Sequence, residues 1–150
     1  KSMMIVVKKW SRRAGGGTSI RSYLCLINQW RMHVEAFRDY CLSKPAVTES
    51  FPFGPDTLVF KVMDKMFALT TLDSDRFTVN LKCKPELAIE WRESFPEIRP
   101  GYHMNKRHWN TVDFDGLLED EFLRSMIDLS YQLVVDGLPR STRDALKKWM

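Results

Sequence analysis

The stretch TLVFKVMDKMFALTTLDSDRFTVNLKC, residues 57–83, carries the strongest indication of the fold class. Its first two β-rich runs, TLVFKVM and MFALTTL, flank the dipeptide Asp64-Lys65, a two-residue connection that predicts a hairpin. In the third run, RFTVNLKC, apolar residues alternate with polar ones, so one face of that strand is apolar and the other is polar and basic. Strands that follow one another with short connections predict an antiparallel sheet.

Helical patterns lie on both sides of these strands. Residues 33–43 carry apolar side chains at spacings of three and four, and Pro45 ends this pattern. The following TESFPFGPD, residues 48–56, predicts an irregular loop, whereas ELAIEWRESF after Pro85 predicts a short amphipathic helix. WNTVDF, residues 109–114, favours another strand. Apolar residues spaced by three and four from Leu118 to Leu133 predict a long helix. Ser141 is predicted to cap a final helix. We therefore expect one α+β domain, an antiparallel β-sheet flanked by helices.

The basic charge of the chain is concentrated at its beginning. The whole sequence holds 23 Lys and Arg against 19 Asp and Glu, a net charge of +4. Seven of these basic residues and none of the acids lie in residues 1–31, which leaves 16 basic against 19 acidic side chains, or −3, for residues 32–150. Net charge alone is therefore weak evidence for nucleic-acid binding by the main domain.

Residues 1–31 differ from the rest in composition, with a triple glycine, no acid and no sustained helical or strand period. Met32 stands where a regular helical pattern begins, which favours a native start at Met32 and an upstream or added origin for the extension. The alternative is a basic arm that binds phosphate groups. We accordingly expect a basic N-terminal extension over residues 1–31 and a domain over residues 32–150.

The densest collection of versatile side chains lies between Arg99 and Thr111. This segment contains three permanent positive charges, two histidines and a tryptophan, but no acid. Lys and Arg neutralise phosphates, and an exposed aromatic ring offers a stacking surface. The alternative is that Tyr102 and Trp109 anchor the core while the charged residues form an ordinary solvated turn.

Other chemistries have weaker support. His103 and His108 are five residues apart, which does not suit helical chelation or a zinc finger, so no metal is expected. The three cysteines form no CxxC pair, and Cys41 and Cys83 occupy apolar positions of regular elements. Reduced, inert thiols in a cytoplasmic protein are therefore expected rather than a nucleophile paired with a histidine.

Several longer motifs occur together in one order: CLSKPAVTESFPFGPDTLVFKVMDKMFAL, VNLKCKPELA, RPGYHMNKRHWNTV and SYQLVVDGLP. From Met32 to about residue 147, the chain resembles the MmcQ/YjbR family of small bacterial proteins. The resemblance implies a CyaY-like α+β fold with a "double-wing" arrangement and DNA as the partner, and it brings no catalytic residue and no cofactor. The family motifs include the FPFG segment, residues 51–54, and Lys82, His103, Asn105, Lys106, His108 and Trp109.

We therefore expect a non-enzymatic DNA-binding protein, with no membrane association. Cations are expected to contact phosphates, Asn105 to act as a polar reader, and Trp109 or His103 to stack on bases. The candidate nucleic-acid-binding residues are Lys82, Lys84, Arg99, His103, Asn105, Lys106, Arg107, His108 and Trp109.

Two alternatives remain open at this point. The domain could bind a protein or a small ligand in an aromatic pocket of Phe51, Phe53, Tyr102 and Trp109, with a polar rim from the 103–106 segment. An enzyme that uses His103 or His108 as a general base is the less favoured alternative.

Overall fold

The computed structural model describes residues 32–150. The basic segment 1–31, with Cys25, lies outside the described residues. The predicted boundary before Met32 lies at their limit. The helices and strands are, in chain order, α1 (Val34–Leu42), β1 (Val47–Ser50), β2 (Thr57–Val62), β3 (Lys65–Thr71), β4 (Thr78–Lys82), α2 (Pro85–Ser94), β5 (Ile98–Pro100), β6 (Trp109–Asp113), α3 (Asp120–Asp136) and α4 (Arg140–Leu146). A 3₁₀ turn over Lys147–Trp149 follows α4.

The six strands form one sheet in the order β1-β2-β3-β4-β6-β5, and every neighbouring pair is antiparallel. This arrangement confirms the predicted α+β class, an antiparallel sheet flanked by helices. The predicted loop over residues 48–56 is wrong in its first part, because β1 occupies Val47–Ser50. This short segment has little apolar alternation of its own and is defined by pairing with β2, with Val47 opposite Val62.

The last helix begins earlier than its sequence indicates. It starts at Arg140 with Pro139 in the capping position, and no side chain caps its first turn. The predicted cap at Ser141 is therefore wrong, because Ser141 already lies inside the first turn. Pro139 leaves one donor fewer at this end of the helix, since proline has no backbone N–H that would need a partner.

The helices pack against one face of the sheet and enclose a continuous apolar core. Phe37 of α1 lies at its centre and makes edge-to-face contacts with three other phenylalanine rings. Helix α3 contributes Leu123, Met126, Ile127 and Val134 to the same cluster. No helix among residues 32–150 is both long and apolar enough to cross a bilayer.

A buried serine joins α3 to the sheet. The Ser130 hydroxyl donates a hydrogen bond to the carbonyl oxygen of Phe67 and accepts one from the Lys82 backbone N–H at 2.7 Å. Phe67 is the extra residue at a β-bulge, because Phe60 pairs with Ala68 while Lys61 pairs with Met66. Ser130 therefore satisfies polar groups of β3 and β4 at the point where their own ladder has ended.

The opposite face of the sheet, which we term the outer face, carries a different set of side chains. Strand residues alternate between faces, and Val79 and Leu81 of β4 belong to the core. Thr78, Asn80 and Lys82 therefore point to the outer face. Their cross-strand partners share that face, so it also carries Asp113, Thr111 and Trp109 of β6 and, opposite Thr111, Arg99 of β5.

Candidate functional site

The segment with the predicted cationic cluster forms a tight loop, residues 101–108, between β5 and β6. It begins at Gly101, whose N–H donates to the carbonyl oxygen of Trp109 at 2.9 Å. A Cβ atom on Gly101 would lie 2.8 Å from the Cβ of Trp109, so only glycine allows this close approach. The loop is thus pinned against the start of β6.

Arg92 of α2 fixes the same loop from the other side. Its Nε donates to Asn110 Oδ1 at 2.7 Å, and its Nη2 donates to the carbonyl oxygens of Trp109, at 3.1 Å, and of Lys106. Asn110 is almost fully buried, at 2% exposure. The guanidinium therefore donates to the buried Asn110 side chain, shares the Trp109 carbonyl with the Gly101 N–H, and sets the position of Lys106 relative to the sheet.

Asn105 holds the loop together internally. Its side-chain Oδ1 accepts a hydrogen bond from the Arg107 N–H at 3.0 Å, and its carbonyl oxygen accepts bonds from the N–H groups of His108 and Trp109. This use of an Asn side chain to form a turn is common in loops. Asn105 therefore has a structural role here, and only its side-chain NH₂ group remains to contact a ligand.

The loop brings Lys106 and Arg107 to the surface, next to the end of β4. Lys106, Arg107 and His103 are exposed, and His108 is half-buried. Lys82 lies directly opposite Trp109, and the N–H of Cys83 donates to the carbonyl oxygen of His108 at 2.8 Å. The loop and the Lys82–Lys84 segment are consequently adjacent, as the predicted basic surface requires. We term the exposed or half-exposed side chains of this region the loop patch: Lys82, Lys84, His103, Asn105, Lys106 and Arg107.

Trp109 does not fit the role predicted for it. Its side chain is 8% exposed, so the ring has no free face on which a base could stack, and this part of the prediction is corrected. The exposed rings nearby are those of Tyr102, which is 71% exposed, and His103, with ring centroids 4.0 Å apart. His103 also adopts a left-handed backbone conformation, with φ of 55°, which is uncommon outside glycine.

Arg99 lies outside the loop patch, in a cleft on the outer face with a volume of about 580 Å³. The cleft combines residues from the β3–β4 connection, from β4, β5 and β6, and from the 101–108 loop. They are Ser74, Asp75, Arg76, Thr78, Arg99, Pro100, Tyr102 and Thr111. No sequence pattern singles out Arg76, because it stands next to Asp75 in a segment typical of a charged loop.

The aromatic pocket predicted as an alternative does not form. Phe51 and Phe53 are exposed in the connection between β1 and β2, while Trp109 is buried in β6. Strands β1 and β6 are four positions apart in the sheet, a separation of about 19 Å at the usual strand spacing. The small-ligand alternative must therefore use the cleft beside Tyr102 rather than these phenylalanines.

The described cysteines have the properties of inert thiols. Cys41 and Cys83 are both buried, and burial raises the pKa of each thiol, that of Cys83 to about 11. A raised pKa leaves almost no thiolate near neutral pH. Within residues 32–150, no three His, Cys, Asp or Glu side chains converge as a metal-binding group.

Removing the Arg92 guanidinium should destabilise the loop that carries Lys106. We expect Arg92→Met to lower the free energy of unfolding by about 1.5–3 kcal/mol, because hydrogen bonds from a charged donor to buried acceptors are lost. Hydrogen exchange should also speed up at the loop amides. The matched control is Arg143→Met on α4, where the side chain is exposed. Equal effects of the two substitutions on exchange in the loop would contradict this role.

Comparisons with known proteins agree on one family. The YjbR family model matches residues 42–133. The uncharacterized protein YjbR of Escherichia coli K12 is 36% identical over 115 residues, which cover 77% of this chain and 98% of that protein. YbdF of Escherichia coli O157:H7, also uncharacterized, is 38% identical over 106 residues, covering 71% of this chain and 87% of that protein.

Solved structures show the same relationship. Deinococcus radiodurans protein DR2400, described as a DUF419 domain, superposes with a TM-score of 0.71 at 41% identity and covers 76% of this chain and 87% of its own. A Pseudomonas syringae protein superposes with a TM-score of 0.61 at 34% identity and covers 68% of this chain and 98% of its own.

Proposed function

The chain belongs to the YjbR family, and from this premise and the geometry of the loop patch we propose that the domain binds DNA without catalysing a reaction on it. The observation that carries the proposal is the fixed 101–108 loop. Arg92 and Asn105 hold its backbone, while Lys106 and Arg107 remain exposed. Cations on a preorganised backbone lose less conformational entropy when they bind phosphate than cations on a mobile loop.

The charge distribution supports a local contact rather than a broad electrostatic one. No acid occurs between Arg99 and Thr111, whereas Asp113 lies at the other end of β6. The four residue steps from Trp109 to Asp113 span about 14 Å, which exceeds the Debye length of about 8 Å at physiological ionic strength. The carboxylate at the far end of β6 is therefore largely screened from the loop patch, although residues 32–150 carry a net charge of −3.

The roles within the patch differ from those expected from sequence. Lys106 and Arg107, with Lys82 and Lys84 beside them, would contact phosphates, which position a duplex without reading its sequence. Asn105 would donate from its NH₂ group only, because its Oδ1 already accepts the Arg107 N–H. Trp109 is buried, so Tyr102 and His103, which are exposed, would stack on bases in its place.

The proposal predicts that affinity for duplex DNA depends on Lys106 and Arg107 specifically. In fluorescence anisotropy over a salt series, we expect Lys106→Ala/Arg107→Ala to weaken binding about tenfold or more. The slope of log K against log salt should become shallower by about 1.8, because each lost phosphate contact removes about 0.9.

Two variants with the same change in net charge serve as controls. Lys65→Ala/Lys148→Ala removes exposed lysines at the start of β3 and in the C-terminal 3₁₀ turn, outside the loop patch. Arg12→Ala/Arg13→Ala removes charge from the basic segment 1–31. Equal losses in all three variants would mean that only total charge matters. A loss confined to the Arg12/Arg13 variant, or no binding by the wild-type chain at low salt, would refute the proposal.

A further inference from the structure

We propose that the outer-face cleft between the β3–β4 connection and β5 binds a single nucleotide unit, with its phosphate between Arg76 and Arg99 and its base against Tyr102. The cleft volume of about 580 Å³ is within the range of roughly 300–1,000 Å³ typical of small-molecule sites. If the nucleotide is part of a DNA strand, this inference rests on the proposed function. If it is a free mononucleotide, the inference goes beyond the proposed function.

Two guanidinium groups face this cleft from different elements. Arg99 projects from the edge strand β5 and has no ion-pair partner within the described part of the chain, residues 32–150. Arg76 comes from the β3–β4 connection, and its contact with Asp113 is long, at 3.8 Å, on a side chain that is 71% exposed. Both therefore keep N–H donors for an incoming anion, and the planar guanidinium binds phosphate oxygens in pairs.

Carboxylates in the same place argue against a bare anion as the ligand. Asp75 lines the cleft, and Asp113 lies beside Arg76. An inorganic phosphate would be attracted by the two arginines but repelled by these acids. A nucleotide carries both a phosphate and hydrogen-bond donors on its sugar and base, so Asp75 could accept from a donor while the arginines hold the phosphate.

The hydroxyl groups of the cleft are only partly available. Thr111 Oγ1 accepts from the Tyr102 N–H at 2.9 Å and donates to Asn80 Oδ1, so it holds the structure and offers no proton. Ser74 Oγ accepts from the Arg76 N–H at 3.3 Å and keeps its own O–H for a ligand. Thr78 lines the same wall. The wall of the cleft is therefore mostly polar, and Ser74 adds one hydroxyl donor to the two guanidinium groups.

Tyr102 supplies the aromatic surface of the cleft. Its backbone is tied to Thr111, its ring is 71% exposed, and one side of it contacts His103. An exposed ring whose backbone is already ordered suits base stacking, which tolerates any base because each has a π-face. This ring therefore distinguishes a nucleotide from an aliphatic phosphate.

The test compares adenosine 5′-monophosphate, inorganic phosphate, adenosine and a short single-stranded oligothymidylate on the full chain by calorimetry. We expect the mononucleotide to bind more tightly than phosphate or adenosine alone. Arg76→Gln/Arg99→Gln should weaken it about tenfold or more, since charge-assisted contacts are lost. Tyr102→Ala should weaken it about fivefold or more, and Tyr102→Phe should not, because stacking needs only the ring.

The outcomes separate this inference from the proposed function. If only the oligonucleotide binds and its affinity depends on Arg76, Arg99 and Tyr102, the site takes a nucleotide within a strand, and the inference stands. If duplex DNA binding depends on Lys106 and Arg107 while Arg76→Gln/Arg99→Gln changes the binding of no probe, the inference fails and the proposed function stands. Mononucleotide binding that is unchanged in Arg76→Gln/Arg99→Gln, or no binding of any probe, would overturn the inference. Unchanged melting temperatures of these surface variants control for folding.

Discussion

Phe37→Ala should be among the most destabilising single substitutions in the domain, lowering the free energy of unfolding by about 3–5 kcal/mol. Phe37 is 0% exposed. Its ring centroid lies 5.3 Å from that of Phe60, 5.7 Å from Phe77 and 5.5 Å from Phe114, all in edge-to-face geometry. Truncation would remove these contacts and leave a cavity between α1 and the sheet, which a packed interior fills only partially.

Urea unfolding followed by circular dichroism measures this loss directly. The matched control is Phe53→Ala, the same substitution at a side chain that is 67% exposed in the β1–β2 connection. We expect the control to change stability by less than about 0.5 kcal/mol. Similar losses at the two positions would show that Phe37 is not the centre of the core.

Ser130→Ala should cost about 2–4 kcal/mol although it removes a single oxygen atom. The hydroxyl is 0% exposed and satisfies two backbone groups, the Phe67 carbonyl and the Lys82 N–H. An alanine leaves both without a partner, and each buried unsatisfied group costs about 1–3 kcal/mol. The loss therefore comes from the sheet rather than from helix α3, for which alanine is a better former than serine.

The control for this substitution lies on the same helix. Ser125 is exposed, and its hydroxyl donates to the carbonyl oxygen of Phe122 at 2.7 Å. Ser125→Ala should change stability by less than about 0.5 kcal/mol. Hydrogen exchange provides a second readout, since only Ser130→Ala should accelerate exchange of the Lys82 amide. Unchanged exchange at Lys82 would contradict the bridging role.

Ser130 also links the core to the loop patch. Ser130 bonds to the N–H of Lys82, the strand residue directly opposite Trp109. Trp109 in turn accepts hydrogen bonds from Gly101 and Arg92, which position the 101–108 loop. The loop patch is thus joined to α3 and α2 through the backbone of two strands. We expect its cations to keep their positions when a ligand is absent.

Much of the fold was predictable from local patterns. The alternation in RFTVNLKC and the short connection at Asp64-Lys65 predict β2, β3 and β4, because side-chain periodicity reflects burial on one face. Strand β1 escaped prediction because four residues with one clear apolar position carry no period, and its pairing with β2 defines it instead. The predicted cap of α4 is wrong because serine is a strong capping signal, whereas the helix begins directly after Pro139, two residues before Ser141.

The candidate site was predictable in part. Lys106 and Arg107 are predicted to be exposed because they are charged. They are predicted to contact phosphates because their segment contains cations and no acid. Arg92 went unselected because an arginine on an amphipathic helix normally faces solvent, whereas here it bonds to three acceptors. Trp109 was misread because amphipathic aromatic residues serve both in cores and at interfaces, and composition does not separate these uses.

Local sequence patterns and motifs predict the α+β class, the order of the main elements, the family and the cationic segment before β6. Each of these depends on residues that are neighbours in the chain. The burial of Trp109 follows from the three-dimensional packing, and so does the cleft that Arg76 and Arg99 share with Tyr102. In the sheet order β4-β6-β5, residues that are far apart in the chain become neighbours. The register of strand pairing sets these contacts, and no local sequence pattern encodes that register.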